Sequence, residues 1–327
     1  MFHSLFSRFL PTVAAVAMLG AAGASFAQSY PNRPVRIVVA AGAGGPDVIA
    51  RLIAAHLTTQ MGQPFIVENK PGANGILGTD IVAKSAPDGY TFLVYSSGLV
   101  SAPSMYKKLP YDTEKDLLPV TNLVLNGGLF VTVNPAVPAK TLQEFTALAR
   151  KPDSRIAFSS PGVGNTLHLA GEQYNALAKT KLLHIPYKGG GPATAALLGG
   201  EVQAMFASPP NVVNQIKAGK LRALAYTGTK RADALPDVPT TAEAGMPEFV
   251  NDGGWFGMFA PANTPLEVVE KIHRGVQVAF ADPAVVAKII ALGLVPVGDS
   301  PADFKKYVSA QIKSYAAIVR AAGIEPE

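Results

Sequence analysis

The sequence predicts an α/β fold, with parallel sheets carrying helices on both faces, and three observations predict it. Short runs rich in β-branched and aromatic residues alternate with amphipathic stretches almost throughout. Glycine-rich turns follow three of these runs and open the next helical stretch. Two capping-box patterns, Thr141-Leu142-Gln143-Glu144 and Thr264-Pro265-Leu266-Glu267, mark helix starts. No repeat, low-complexity tract or long Gly/Ser linker divides the chain at one point. That is the pattern of two α/β lobes between which the chain crosses twice.

The elements follow in order. Residues 1–27 stand apart: Arg8, an apolar stretch from Leu10 to Ala24, then Ser25-Phe26-Ala27 with small residues flanking a cleavage point. This is a signal-peptide pattern, and it predicts export with cleavage after Ala27. As a membrane anchor the stretch falls short of the ~20 residues a bilayer span needs. Val35–Ala40, Phe65–Glu68 and Tyr90–Tyr95 read as the first strands. Between the first two, Val48, Ile49, Leu52, Ile53, Leu57 and Met61 recur at helical spacing. Leu129–Val133, Ile156–Ser159, Leu182–Pro186, Val202–Phe206 and Leu221–Thr227 read as a second set of strands, and Trp255–Ala260 as a return strand. The expected division is 28–125 with 251–327 in one lobe and 126–250 in the other.

Composition narrows the function. Hydrophobic residues make up 48% of 327 and charged residues 16%, so the chain can bury a large core. Cysteine is absent, which excludes disulfide scaffolds, thiolate metal sites and cysteine nucleophiles. Lys+Arg 28 against Asp+Glu 23 is a mild excess with no basic run, so nucleic acid is not an expected partner. A dinucleotide fingerprint beginning at Gly42 would need glycine where Asp47 stands. Gly219-Lys220 is followed by Leu221 rather than Ser or Thr, and no G-x-S-x-G elbow occurs. Ser104-Met105-Tyr106-Lys107 matches S-x-x-K without its companion motifs, and the five histidines show no metal-ligand spacing. No cofactor and no metal are expected, and the reading is a binding protein rather than an enzyme.

The turns carry the chemistry. They are Ala41–Asp47, Ser159–Thr166 and Tyr187–Pro192. Each brings backbone N–H groups and a positive helix end to one point, an arrangement suited to an anion at the carboxyl ends of strands. The alternative is that these glycines only permit tight turns. His168 falls just inside the helix after the second turn, placed for a ligand contact or a local hydrogen bond.

Several segments carry a family likeness. Tyr30-Pro31 with Arg33-Pro34-Val35-Arg36-Ile37-Val38-Val39 resembles the mature start of Bug-type solute receptors, the extracytoplasmic binding subunits of tripartite tricarboxylate transporters. The resemblance continues through Val67–Ala73, Ala86–Thr91, Tyr106–Asp112, His184–Gly189, Ala218–Leu224, Leu235–Thr240 and Trp255-Phe256-Gly257. It implies a type II periplasmic-binding-protein fold: two lobes of mixed, mostly parallel sheet flanked by helices, with a ligand cleft between them. It implies delivery of a small organic carboxylate to membrane permease subunits from the periplasm, by a chain not itself embedded in the membrane.

Carried onto matching positions, its ligand contacts fall on Gly44, Gly45 and Asp47, on Ser96, Ser97 and Gly98, and on Ser160, Gly162, Gly164, Asn165, Thr166 and His168. Ala207 stands where the family has aspartate, Leu99 where threonine is common, and Ala41 where an aromatic is usual. These departures imply a bulkier or more apolar ligand than a short dicarboxylate, such as an aromatic carboxylate. The third turn, Gly189–Gly191, ranks below the other two, with a structural role as its alternative. Trp255, at the return crossing, is expected to change exposure when the lobes close. An α/β enzyme acting on an anion, and a receptor feeding a membrane sensor kinase, are the alternatives.

Overall fold

The computed structural model describes residues 30–321, 325 and 326, and the signal-peptide pattern lies outside them. Two mixed sheets form the framework. The first contains β1 (Val35–Val39), β2 (Phe65–Asn69), β3 (Thr91–Ser96), β4 (Leu117–Leu125), β10 (Trp255–Pro261) and β11 (Val295–Pro296), in the order β11-β4-β10-β3-β1-β2. The second contains β5 (Phe130–Val133), β6 (Ala157–Ser160), β7 (Leu183–Pro186), β8 (Ala204–Ala207) and β9 (Arg222–Tyr226), in the order β7-β6-β8-β5-β9. We call each sheet with its helices a lobe.

Strands joined through a helix pair in parallel: β1 with β2 and β3, and β6 with β7 and β8. The strands next to the crossings pair antiparallel, β10 with β3 and β4, and β5 with β8 and β9. β4 is a strand that local pattern does not announce, because Pro119 interrupts its apolar run. Proline lacks a ladder N–H, and Pro119 sits where the β10–β4 register slips between Met258 and Phe259. The irregularity absorbs the missing donor.

The helices are α1 (Gly45–Met61), α2 (Ile76–Ala83), α3 (Gly98–Met105), α4 (Leu142–Ala149), α5 (Thr166–Ala178), α6 (Gly190–Gly199), α7 (Pro209–Lys217), α8 (Leu266–Ala281), α9 (Pro283–Ala291) and α10 (Pro301–Ala321). α1 buries Ile49, Ala50, Ile53, Ala54 and Leu57, while Val48 stays exposed. The buried face is therefore turned slightly from the one its largest side chains suggest, because two alanines belong to it. The capping box at Thr141 forms, with Glu144 N–H donating to Thr141 Oγ1 at 3.1 Å. That at Thr264 does not: its hydroxyl donates back to Pro261 O at 2.8 Å, and Pro265 becomes the cap.

Each lobe has its own core. Phe145, Phe158, Tyr174, Phe206 and Phe249 fill the second, and Trp255, Phe259 and Phe304 anchor the first. Two crossings join the lobes, at residues 126–129 and 227–254, and Asn126 ties them together. Its side-chain amide donates to Gly253 O at 2.6 Å, its N–H donates to Gly254 O at 3.0 Å, and its Oδ1 accepts from Ser208 Oγ at 2.5 Å.

Candidate functional site

The turns at the carboxyl ends of the strands surround a cavity of about 340 Å³. Its lining includes the N-terminal residues or caps of helices from both lobes: Gly45 of α1 and Gly75 of α2, facing Asn165 of α5, Gly189 and Gly190 of α6, and Ser208 of α7. A helix start carries the positive end of the peptide dipoles, although the donors differ here: α7 opens on Pro209 and Pro210, which have no N–H, Gly75 and Ile76 donate to Gly72 O and Ala73 O, and Gly45 donates to Asn211 Oδ1. Among the described residues of the lining, Lys188 at the exposed rim is the one charged side chain. The rest is largely apolar or aromatic, with Tyr95, Tyr106, Tyr187 and Phe256 the largest groups. Such a site attracts an anion with peptide dipoles and encloses the remainder of the molecule in apolar surface.

The lobes meet directly around the cavity. Gly191 N–H donates to Ala43 O at 2.7 Å, and Gly45 N–H donates to Asn211 Oδ1 at 3.0 Å. Ser101 Oγ donates to Gly164 O at 2.8 Å, and Asn165 Nδ2 donates to Asn74 Oδ1 at 3.3 Å. This is a closed arrangement. The glycines of the first turn permit it: a Cβ on Gly42 would lie 2.7 Å from Lys188 O, and one on Gly44 would lie 3.2 Å from Gly191 N.

Of the residues that the sequence singled out, Gly45, Ser96, Gly162 and Asn165 line the cavity. The other positions lie behind or beside them. Gly44 packs against Asn211 and Gly191. Asp47 is buried in the first turn of α1 and paired with Arg51 at 2.9 Å. Arg51 also donates to Asn69 Oδ1, and Asn69 donates to Ala41 O, so this chain of contacts fixes the shape of the turn. Gly98 abuts the Tyr95 hydroxyl and the Asn165 amide. Ser97 is buried against Gly254, where it leaves no room for a Cβ.

Ser160 is buried and shares a 2.6 Å hydrogen bond with His184 Nε2, while Gly162 N–H donates to its Oγ. Gly164 N–H donates to His168 Nδ1 at 3.1 Å, which is the local role open to that histidine. Thr166 and His168 border a different concavity, between α5 and α10, together with Asp252 and Tyr315. Ala207 and Leu99 belong to the two cores rather than to the lining, so neither sets the polarity of the cavity.

Other lining residues lie outside the contacts that the resemblance implies, some of them in the third turn, which the sequence offers as an anion site but ranks below the other two. Lys188, Gly189 and Gly190 come from the third turn, whose strand–turn–helix pattern matches the first two. Residues 71–75 form a wall in which Ala73 and Asn74 adopt positive φ, 46° and 45°. Tyr95 OH donates to Asn74 O at 2.7 Å, and burial raises its pKa far enough to keep the phenol a donor. Where Ala41 supplies no aromatic ring, Phe256 of β10 stands over Gly45. Trp255, one residue earlier, points the other way and is fully buried among Phe259, Phe304 and Tyr307. The expectation that its exposure changes on closure gives way to this packing.

Two mixed sheets flanked by helices, with a cavity lined from both, form the architecture of the two-lobed solute-binding proteins that this chain matches. The chain belongs to the tripartite tricarboxylate transporter family of receptors, whose family model matches residues 49–324. It is 37% identical to protein BugT of Bordetella pertussis over 94% of this chain and 95% of that one. Its fold matches the structure of the periplasmic binding protein BugD with a TM-score of 0.86 and 35% identity, covering 91% of this chain and 100% of that one. It also matches Rpa4515 of R. palustris, solved with adipate, with a TM-score of 0.87 and 31% identity, covering 91% and 100%. The chain is thus a Bug-type periplasmic solute-binding receptor. No helix among the described residues is long and apolar enough to cross a membrane.

Proposed function

We propose that the protein captures a small organic carboxylate with an apolar body and delivers it to the membrane subunits of a tripartite transporter, without chemistry of its own. The observation that carries the reading is the convergence of helix N-termini from both lobes on one cavity whose lining, among the described residues, has a single charged side chain, Lys188. Adipate bound to a relative of the same fold supports the carboxylate class. Gly162, Asn165, Gly189 and Gly190 face the carboxylate, Ser96 faces it from the first lobe, and Tyr187 and Phe256 cover the body. Asp47, Ser160, Gly164 and His168 hold the turns in place. Lobes of 28–125 with 251–327 and of 126–250 close by a hinge at the two crossings, after export and cleavage behind Ala27.

Calorimetry of the exported protein against aromatic and aliphatic acids, with recovery of the bound acid for mass analysis, tests the reading. Binding of at least one acid and its recovery unchanged is the expected result. Absence of binding across the series, or a converted product, contradicts it.

A further inference from the structure

We infer that Asn211 is a ligand contact that reads charge: its side-chain oxygen latches the lobes, and its side-chain nitrogen donates to the ligand's carboxylate beside the first N–H of α6. The inference rests on the carboxylate reading above and narrows it to named donors. Asn211 Oδ1 accepts from Gly45 N–H at 3.0 Å across the lobes. Only the oxygen of a carboxamide can take that bond, so the orientation of the group is settled and Nδ2 is its other arm. Asn211 is half-buried in the lining of the cavity, and among the described residues its Nδ2 has no acceptor.

A glycine fixes where that nitrogen lies. A Cβ on Gly190 would come within 2.4 Å of Nδ2, so the nitrogen rests against the residue that opens α6. Gly190 is buried in the same lining, and its N–H precedes the intrahelical ladder. The neighbouring positions of this turn are committed: Gly191 N–H donates to Ala43 O at 2.7 Å, Pro192 has no N–H, and Ala193 N–H donates to Gly189 O at 3.3 Å. Gly190 N–H has no such acceptor among the described residues. The amides of the second turn are spent as well, Gly162 N–H on Ser160 Oγ, Gly164 N–H on His168 Nδ1 and Asn165 N–H on Gly162 O. Gly190 N–H and Asn211 Nδ2 therefore stand as neighbouring donors at the positive end of α6, matched in number to the two oxygens of a carboxylate. Hydrogen bonds to a charged acceptor are the stronger kind, and a buried donor without an acceptor is costly. Because Gly45 N–H comes from the other lobe, the carboxamide is aimed in this way only in the closed arrangement.

Three acids and their primary amides test this: benzoate with benzamide, hexanoate with hexanamide, and adipate with adipamide. They are titrated calorimetrically at neutral pH into the full exported protein and into its Asn211→Asp, Asn211→Ala and Gly190→Ala variants, each checked for folding by circular dichroism. Asn211→Asp keeps the shape of the side chain and the acceptor for Gly45 N–H, but it puts a charged oxygen where the donor was. The wild-type preference for an acid over its amide is expected to fall about a hundredfold in that variant. Asn211→Ala removes the donor and Gly190→Ala displaces it, so each should narrow the preference by about tenfold. All three variants read the same ratio, and any one that folds decides. An unchanged ratio overturns the inference, since a residue that only latches the lobes would alter acid and amide alike. A wild type that binds none of the acids, or binds acid and amide equally, would instead remove the carboxylate reading itself, and the inference with it.

Discussion

His168 and His184 stack with ring centroids 3.9 Å apart, directly behind the turn that lines the cavity. Burial lowers the His168 pKa to about 4, and burial together with the His168 charge lowers that of His184 to about 3. Ser160 and Phe158 face His184, and Glu172 lies 3.7 Å from His168 Nε2. An unfolded histidine titrates near 6.5, so between roughly pH 6.5 and 4 the unfolded chain binds more protons than the native one. Stability therefore falls as pH falls through that window, by on the order of 3 kcal/mol for His168 alone. Protonation also turns Nδ1 into a donor, which sets it against the Gly164 N–H it now accepts from. Thermal melts from pH 7.5 to 4 should show a declining Tm, with a smaller decline in His168→Gln, whose amide oxygen can accept the same bond. A flat profile in the wild type would contradict the assignment. His168 was visible in the sequence as a residue near the second turn. His184 was not visible as its partner, because only the β6–β7 register, which sets Phe158 beside His184, brings the rings together.

The element that closes the site is α6. Gly191 N–H reaches Ala43 O at 2.7 Å, and a Cβ on Gly191 would lie 2.5 Å from that oxygen. Alanine is the better helix former by roughly 0.5–1 kcal/mol. Gly191→Ala should therefore leave the melting temperature unchanged or raised while obstructing closure, and ligand affinity should fall by about tenfold, equivalent to ~1.4 kcal/mol. Loss of stability together with unchanged affinity, measured by melts and calorimetry, would show that α6 supports the second lobe without closing the cavity. Elements of this kind were largely legible: alternation located the strands through β3 and from β5 to β10, and glycines located the turns. β4 escaped because Pro119 reads as a strand breaker until the slipped register beside β10 is seen. Asn211 escaped for a different reason. It lies in the first turn of a helix that opens on two prolines, and nothing local says that its carboxamide reaches an amide 166 positions away.

For the whole molecule, the two sheets place helix starts from both lobes around one volume, and the paired crossings at Asn126 join the lobes where the proposed hinge would turn. Bound anion and closed lobes should then be one linked event, because closure brings the second set of N–H groups to the ligand. Asn126→Ala leaves Ser208 Oγ and Gly253 O without these partners, and it should destabilise the chain by about 1–3 kcal/mol in urea unfolding. A midpoint within error of the wild type would show that Asn126 does not tie the crossings. The central claim, that peptide dipoles rather than a buried cation hold a carboxylate in the cavity, is tested most directly by the tightest-binding acid and its primary amide. The two molecules share a shape and differ in charge. The account predicts that the acid binds about a hundredfold more tightly by calorimetry, as expected when hydrogen bonds to a charged group are lost. Equal affinities would contradict it.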